Sequence, residues 1–321
     1  MKRKVLTVSA LILGVLLVVP FLVPVNSSGT LTNREAAKEV WGERSQFVEI
    51  AGNEVHLVSA GDPKAKQLFI LLHGFGASAL SYLPVLDELA AVGEVVAYDR
   101  AAFGFSERPE SFSGTNPYSA KAALEVLDGI IDRFNQNQQV VLVGHSAGGQ
   151  IAAAYALEHP ERVDYLVLED AAIYSSGGTP TWLNWLYFIP QLNHLGPALV
   201  STIATSGLEI LNQSYFDQNK ITEQTLAHYT QPLKVVGWER AFWEFNRADR
   251  RLDVASRLAA LQTKTLVLTG DNDTIVATED SLRLAAELGL KPVVISDCGH
   301  LPHEEQPQQF LKSVLSFTAE N

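Results

Sequence analysis

Cysteine is all but missing: Cys298 stands alone in 321 residues, so neither an internal disulfide framework nor a cysteine-based zinc cluster can form. Basic charge is also scarce. Twenty-four Lys and Arg face 36 Asp and Glu, for a formal net charge of −12. That balance argues against nucleic acid as a partner, because phosphate binding needs a basic surface. Three of the basic residues, Lys2, Arg3 and Lys4, crowd the N-terminus, and beyond them 21 face 36, or −15. Charge of either sign is missing from Val5 to Val25 and returns only at Arg34.

That uncharged stretch, VLTVSALILGVLLVVPFLVPV, would span about 31 Å as a helix, enough for a hydrocarbon core. Residues 1–25 therefore read as a membrane anchor or a signal peptide. A cleavable signal has an apolar stretch of only about 7–15 residues and a small-x-small site after it, and Val25-Asn26-Ser27 is a poor one, so length favours the anchor. Lys2, Arg3 and Lys4 would stay in the cytoplasm. The rest would lie outside it, membrane-anchored through residues 5–25, or secreted or periplasmic if the leader is cleaved. Residues 26–45 read as a polar stalk or a short helix.

The remainder, 46–321, is long enough for one large domain and, with 47% apolar and 19% charged residues, folds. Val-, Ile- and Leu-rich runs recur at 68–72, 94–98, 140–143, 163–168, 265–268 and 292–295, without polar alternation, as in strands buried on both faces of a parallel sheet. Helix-like segments lie at 80–91, 117–136, 147–159, 278–289 and 304–317. The pattern predicts an α/β fold, a doubly wound and mostly parallel sheet. Upstream, 47–50 and 54–60 around Ala51-Gly52-Asn53 predict an edge hairpin. From Tyr174 to Arg250 the alternation stops. These 77 residues hold 12 of the 28 aromatics and predict a helical cap inserted after the sixth strand, over the carboxyl ends of the sheet.

The strongest chemical signal is Gly144-His145-Ser146-Ala147-Gly148, placed between a strand and a helix. A serine on so sharp a turn needs small neighbours, and it stands where a nucleophile would. A hydroxyl needs a base and a group to orient that base. Of eight histidines, His300, in Asp297-Cys298-Gly299-His300, follows the last strand and shares the sheet edge with Ser146; His303 is its rival. His73 and His145 lie in turns beside glycines and suit structural hydrogen bonding. For the orienting acid, Asp271 and Asp273 share the loop after 265–268, and Asp170 follows 163–168. Spacing alone leaves the three open.

These motifs resemble the α/β-hydrolase superfamily, in its cap-bearing esterase and C–C hydrolase-like branch, over about residues 45–318. The order serine, acid, histidine matches at Ser146, Asp273 and His300, and the family spacing after its seventh strand implies Asp273 in place of Asp271. His73-Gly74-Phe75-Gly76 resembles the oxyanion loop, which implies that the backbone N–H groups of Phe75 and Ala147 hold the oxyanion. Asp99-Arg100-Ala101-Ala102-Phe103-Gly104-Phe105-Ser106 resembles the loop after the fourth strand, but has Ala101 and Ala102 where proline or glycine is commoner.

The resemblance implies Ser–His–Asp catalysis on a small-molecule carboxylic ester, with an acyl-enzyme intermediate, a rate that rises as the imidazole loses its proton, and neither metal nor organic cofactor. Serine at 146 disfavours epoxide opening and halide displacement, which use aspartate there. A C–C hydrolase or cofactor-free perhydrolase on the same triad is the enzymatic alternative. A non-catalytic binding protein on this fold is the other, and the complete set Ser146, Asp273 and His300 speaks against it.

Overall fold

The computed structural model describes Ser9 and residues 14–174, 181–202 and 204–319. Eight strands form one sheet: β1 (Ser45–Ile50), β2 (Asn53–Gly61), β3 (Gln67–Leu72), β4 (Glu94–Tyr98), β5 (Gln139–His145), β6 (Tyr165–Glu169), β7 (Lys264–Gly270) and β8 (Val293–Ile295). Their order is β1-β2-β4-β3-β5-β6-β7-β8. Only β2 runs antiparallel to its neighbours; β3 to β8 are mutually parallel. The apolar runs are strands because both faces are covered. Along β3, Leu68, Ile70 and Leu72 enter one core, and Phe69 and Leu71 enter the other, as the two-residue period requires.

The helices are α1 (Asn33–Trp41), α2 (Leu83–Ala90), α3 (Ala120–Phe134), α4 (Ala147–Glu158), α5 (Pro190–Ser201), α6 (Ala204–Ser214), α7 (Glu223–Thr230), α8 (Trp238–Arg247), α9 (Thr278–Glu287), α10 (Pro302–Glu305) and α11 (Pro307–Ala319). α5 to α8, with a 3-10 segment at Thr181–Phe188, lie between β6 and β7, where the aromatic-rich segment predicted a cap. After β3 the chain winds to β4 on one side and then to β5 on the other. This reversal opens a crevice at the carboxyl ends of β3 and β5, the place where open α/β sheets bind ligands.

Of the two readings of residues 26–45, the short helix is the one present, at Asn33–Trp41, and the segment is tied to the body. α1 buries Ala36, Ala37 and Trp41 against the sheet, Leu31 bridges to Val235, and Ser27 and Ser28 hydrogen-bond to Glu239 of α8. One expectation needs correction: the uncharged run is no single helix to Val25. Residues 14–18 are helical and Val19–Leu22 form a 3-10 turn. Pro20 then lacks the donor that a continuous helix needs, and the backbone is extended at Val23. No helix of the described residues is long and apolar enough to cross a membrane; residues 1–8 and 10–13 lie outside them.

The loop after β4 is organised by Asp99, which is buried. It accepts from His56 Nδ1 at 2.7 Å, Phe105 N at 2.7 Å and Ala79 N at 2.7 Å. Burial opposes its charge, but His56 and these donors outweigh that and hold the carboxyl below its usual range. In the same loop Ala102 adopts φ +74°, a region where a Cβ is strained. Ala102→Gly should therefore raise the unfolding free energy by about 0.5–1 kcal/mol, read by urea denaturation.

Candidate active site

Ser146 sits at the junction of β5 and α4 with φ +51° and ψ −118°, a strained conformation for any residue but glycine. The surrounding backbone over-determines it. Ser146 N donates to Glu169 O at 2.9 Å, and Ser146 O accepts from Gly149 N and Ala172 N, each at 3.0 Å. The flanking glycines are sterically required: a Cβ on Gly148 would lie 2.1 Å from Leu72 O, and one on Gly144 would lie 2.6 Å from Gly149 Cα. The loop after β3 lies directly against this turn, since a Cβ at Gly74 would come within 3.2 Å of Ser146 Cβ. Phe75 and Ala147 thus flank the serine. Ala147 opens α4, and a first-turn N–H has no acceptor within its own helix.

Asp273 and His300 meet on the neighbouring loops. His300 Nδ1 donates to Asp273 Oδ2 at 2.7 Å, with both side chains buried. Asp273 Oδ1 accepts from Ile275 N and Val276 N at 2.8 and 3.1 Å, so the carboxylate is oriented from both oxygens. Asp271 serves the loops instead. Its Oδ1 accepts from Cys298 N, and Asn272 N donates to Cys298 O, which ties the acid loop to the histidine loop. Asp170 packs beside the pair, with a donor atom within 4.8 Å of those of Asp273 and His300. Burial, and then the Asp273 charge, push the Asp170 carboxyl well above the usual range.

The other histidines of this region are structural. His73 donates from Nδ1 to Gly74 O and accepts Arg100 N at Nε2; burial, reinforced by Arg100, pushes it down to about 3. His145 donates from Nε2 to His300 O at 2.7 Å, so the elbow holds the histidine loop. His303 is bound to Glu169 through both its N–H and Nδ1. Burial opposes its charge, but Glu169 outweighs that and raises its proton affinity.

Two glutamates after His300 carry a function that sequence reasoning missed. Glu305 accepts from Gly299 N at 2.7 Å and from Phe216 N and Asp217 N of the cap. Glu304 accepts from Tyr215 and Tyr229, and His300 N donates to Ser214 O at 2.7 Å. The cap thereby positions the histidine loop. Cys298 is fully buried in the same loop, and burial pushes its thiol up. It should resist iodoacetamide at pH 8 in the folded protein and react stoichiometrically in urea, as mass spectrometry would report; a reactive native thiol would contradict this packing.

A cavity of about 830 Å³ opens in front of Ser146, lined by Phe75, Arg100, Ala147, Phe188 and Phe245 among others. Phe75, 47% exposed, meets Phe103 and Phe242 at ring distances of 5.5 and 5.6 Å, so an aromatic wall runs from the oxyanion loop into the cap. This geometry agrees with the sequence match: the profile of the Alpha/beta hydrolase family covers residues 69–313. The chain belongs to that family. Among its relatives, the uncharacterized hydrolase YugF of Bacillus subtilis (strain 168) is 28% identical over 78% of this chain and 90% of its own. The 2-hydroxymuconate semialdehyde hydrolase of Pseudomonas sp. (strain CF600) is 28% identical over 83% and 90%. In structure, a meta-cleavage product hydrolase from Pseudomonas fluorescens IP01 superposes with a TM-score of 0.64, at 25% identity, over 87% of this chain and 98% of that one.

Proposed function

We propose that this α/β hydrolase is a serine hydrolase that cleaves a carboxylic ester of a small or medium apolar substrate through an acyl-enzyme. The observation that carries the reading is the 2.7 Å bond from His300 Nδ1 to Asp273, on loops adjoining a serine held at φ +51°. His300 takes the Ser146 proton as the oxygen attacks the carbonyl, and Asp273 fixes the tautomer and favours the imidazolium. The N–H groups of Phe75 and Ala147 stabilise the oxyanion, about 3–4 kcal/mol for each donor in comparable sites. Water then releases the acid. The aromatic wall favours an apolar acyl or alcohol group.

A second reading is C–C bond hydrolysis on the same residues, favoured by relatives named as hydrolases of 2-hydroxymuconate semialdehyde and of 2-hydroxy-6-oxo-2,4-heptadienoate. Hydrolysis rates over p-nitrophenyl esters of graded chain length, measured beside a 2-hydroxy-6-oxo-dienoate, separate the two. An ester kcat/KM exceeding that for the dienoate supports the first reading, the reverse order the second, and no Ser146-dependent labelling by a fluorophosphonate refutes both.

The leader belongs to this proposal. Lys2, Arg3 and Lys4 before an uncharged run support a domain held outside the cytoplasm by a retained N-terminal segment. Cells with a permeabilised outer barrier should lose the domain to added protease while the cytoplasm stays intact, and the mature chain should keep its N-terminal residues by mass spectrometry.

A further inference from the structure

Between Asp170 and Glu209 the sequence has 38 consecutive residues without Asp, Glu, Lys or Arg, in a chain that is 19% charged. The second long charge-free stretch is Val5 to Asn33, 29 residues. The fold places the two together. Residues 14–23 pack on α5: Gln191 Nε2 donates to Leu17 O, His194 Nε2 donates to Val23 O at 2.9 Å, and the Phe21 and His194 rings lie 5.5 Å apart. Large apolar side chains on both stretches nevertheless face outward. Leu16 is 62% exposed, Leu22 73%, Trp182 72%, Trp185 59% and Phe188 64%, and Leu199 on α5 is also exposed.

Exposed tryptophan, phenylalanine and leucine side chains on elements that pack on one another are costly in water and mark an interaction site. Its composition narrows the partner. A protein interface ordinarily carries a charged or polar rim with arginine; the 38 residues themselves supply none, and the arginines beside them are already engaged, Arg240 with Asn193 O and Arg247 with Glu244 and the Phe188 ring. Tryptophan beside aliphatic side chains is the composition of surfaces that sit at the boundary between acyl chains and headgroups. The segment that precedes the patch, 1–13, is itself apolar from Val5 onward.

We propose that the charge-free face of the cap, Trp182, Trp185 and Leu199 together with residues 15–23, lies in the interfacial layer of a lipid bilayer. It rests on the retained leader of the reading above and on that part of it alone, because residues 15–23, held on the cap by Gln191 and His194, then lie along the bilayer surface and do not cross it. Phe188 belongs both to this face and to the lining of the cavity in front of Ser146. The docked cap therefore opens the cavity toward the acyl region, and a substrate dissolved in lipid reaches the serine without crossing water.

The test uses the full-length chain reconstituted in phosphatidylcholine vesicles brominated along the acyl chains. Trp41, Trp238 and Trp243 are buried, so Trp182 and Trp185 are the tryptophans a lipid-borne quencher can reach. Bromolipid should remove their emission, and Trp182→Phe with Trp185→Phe should remove the quenching. Trp185→Glu should diminish quenching at Trp182 while leaving hydrolysis of a soluble p-nitrophenyl ester unchanged. Chain that floats with the vesicles but is not quenched overturns the docking and leaves the anchor standing. Failure to float overturns both. Protection of the patch in a detergent-solubilised dimer, with no bromolipid effect, would overturn the lipid docking and assign the face to a second copy. Rates on the soluble ester report the hydrolase reading separately.

Discussion

Ser146→Ala should lower kcat on any substrate the protein turns over by about 10,000- to 1,000,000-fold, the loss seen when the nucleophile of such a triad is removed. KM should change little, because the missing oxygen acts mainly in the transition state. Stability provides the internal control. Alanine retains a Cβ and hence the strain at φ +51°, so its unfolding free energy should stay within about 0.5 kcal/mol of the parent. Ser146→Gly should lose the same activity yet gain about 1 kcal/mol, because glycine occupies that region without strain. Stopped-flow kinetics with chemical denaturation of both variants checks the pair. Residual activity within a hundredfold of the parent in the alanine variant would remove Ser146 from the chemistry.

That strain explains why the elbow is legible in the sequence. A left-handed, sterically crowded turn tolerates few residues, and Gly144, Gly148 and the strand and helix around them declare it locally. The strands are legible for a similar reason: burial on both faces leaves runs such as Leu68-Phe69-Ile70-Leu71-Leu72 no room for polarity. Helix α1 is harder to tell from a stalk, although Thr32 and Glu35 form a capping box. Only Ala36, Ala37 and Trp41 of its nine residues are buried, so its apolar stripe is too thin to stand out from a polar linker.

Glu304 and Glu305 are illegible for a different reason. Two adjacent glutamates ahead of a helix look like a solvated first turn, and their burial arises only when Tyr215, Phe216, Asp217 and Tyr229 of the cap close over them. Contacts between segments about 75 to 90 residues apart leave no local pattern. The choice among Asp170, Asp271 and Asp273 is likewise beyond spacing, because all three occupy loops at one sheet edge.

The second large effect concerns that choice. Asp273→Asn should reduce kcat by about 10,000-fold with little loss of structure, because an amide facing Nδ1 favours the imidazole tautomer that cannot accept the serine proton. Asp170→Asn should cost far less, under about tenfold. Burial and the Asp273 charge raise the Asp170 carboxyl well above its usual range, which favours the neutral acid, and asparagine mimics that acid and can still donate toward Asp273. Equal losses in the two variants would return the orienting role to Asp170 and refute the assignment. Stability separates them again. The Asp170 carboxyl binds its proton more tightly in the folded chain than in the unfolded one. Its contribution is therefore complete below the unfolded pKa and declines as pH rises toward the folded one. The difference in Tm between Asp170→Asn and the parent should accordingly move in favour of the variant between pH 5 and pH 8. A parent and variant that track each other across that range would mean that the buried carboxyl holds no proton, and that the two aspartates share charge in front of His300.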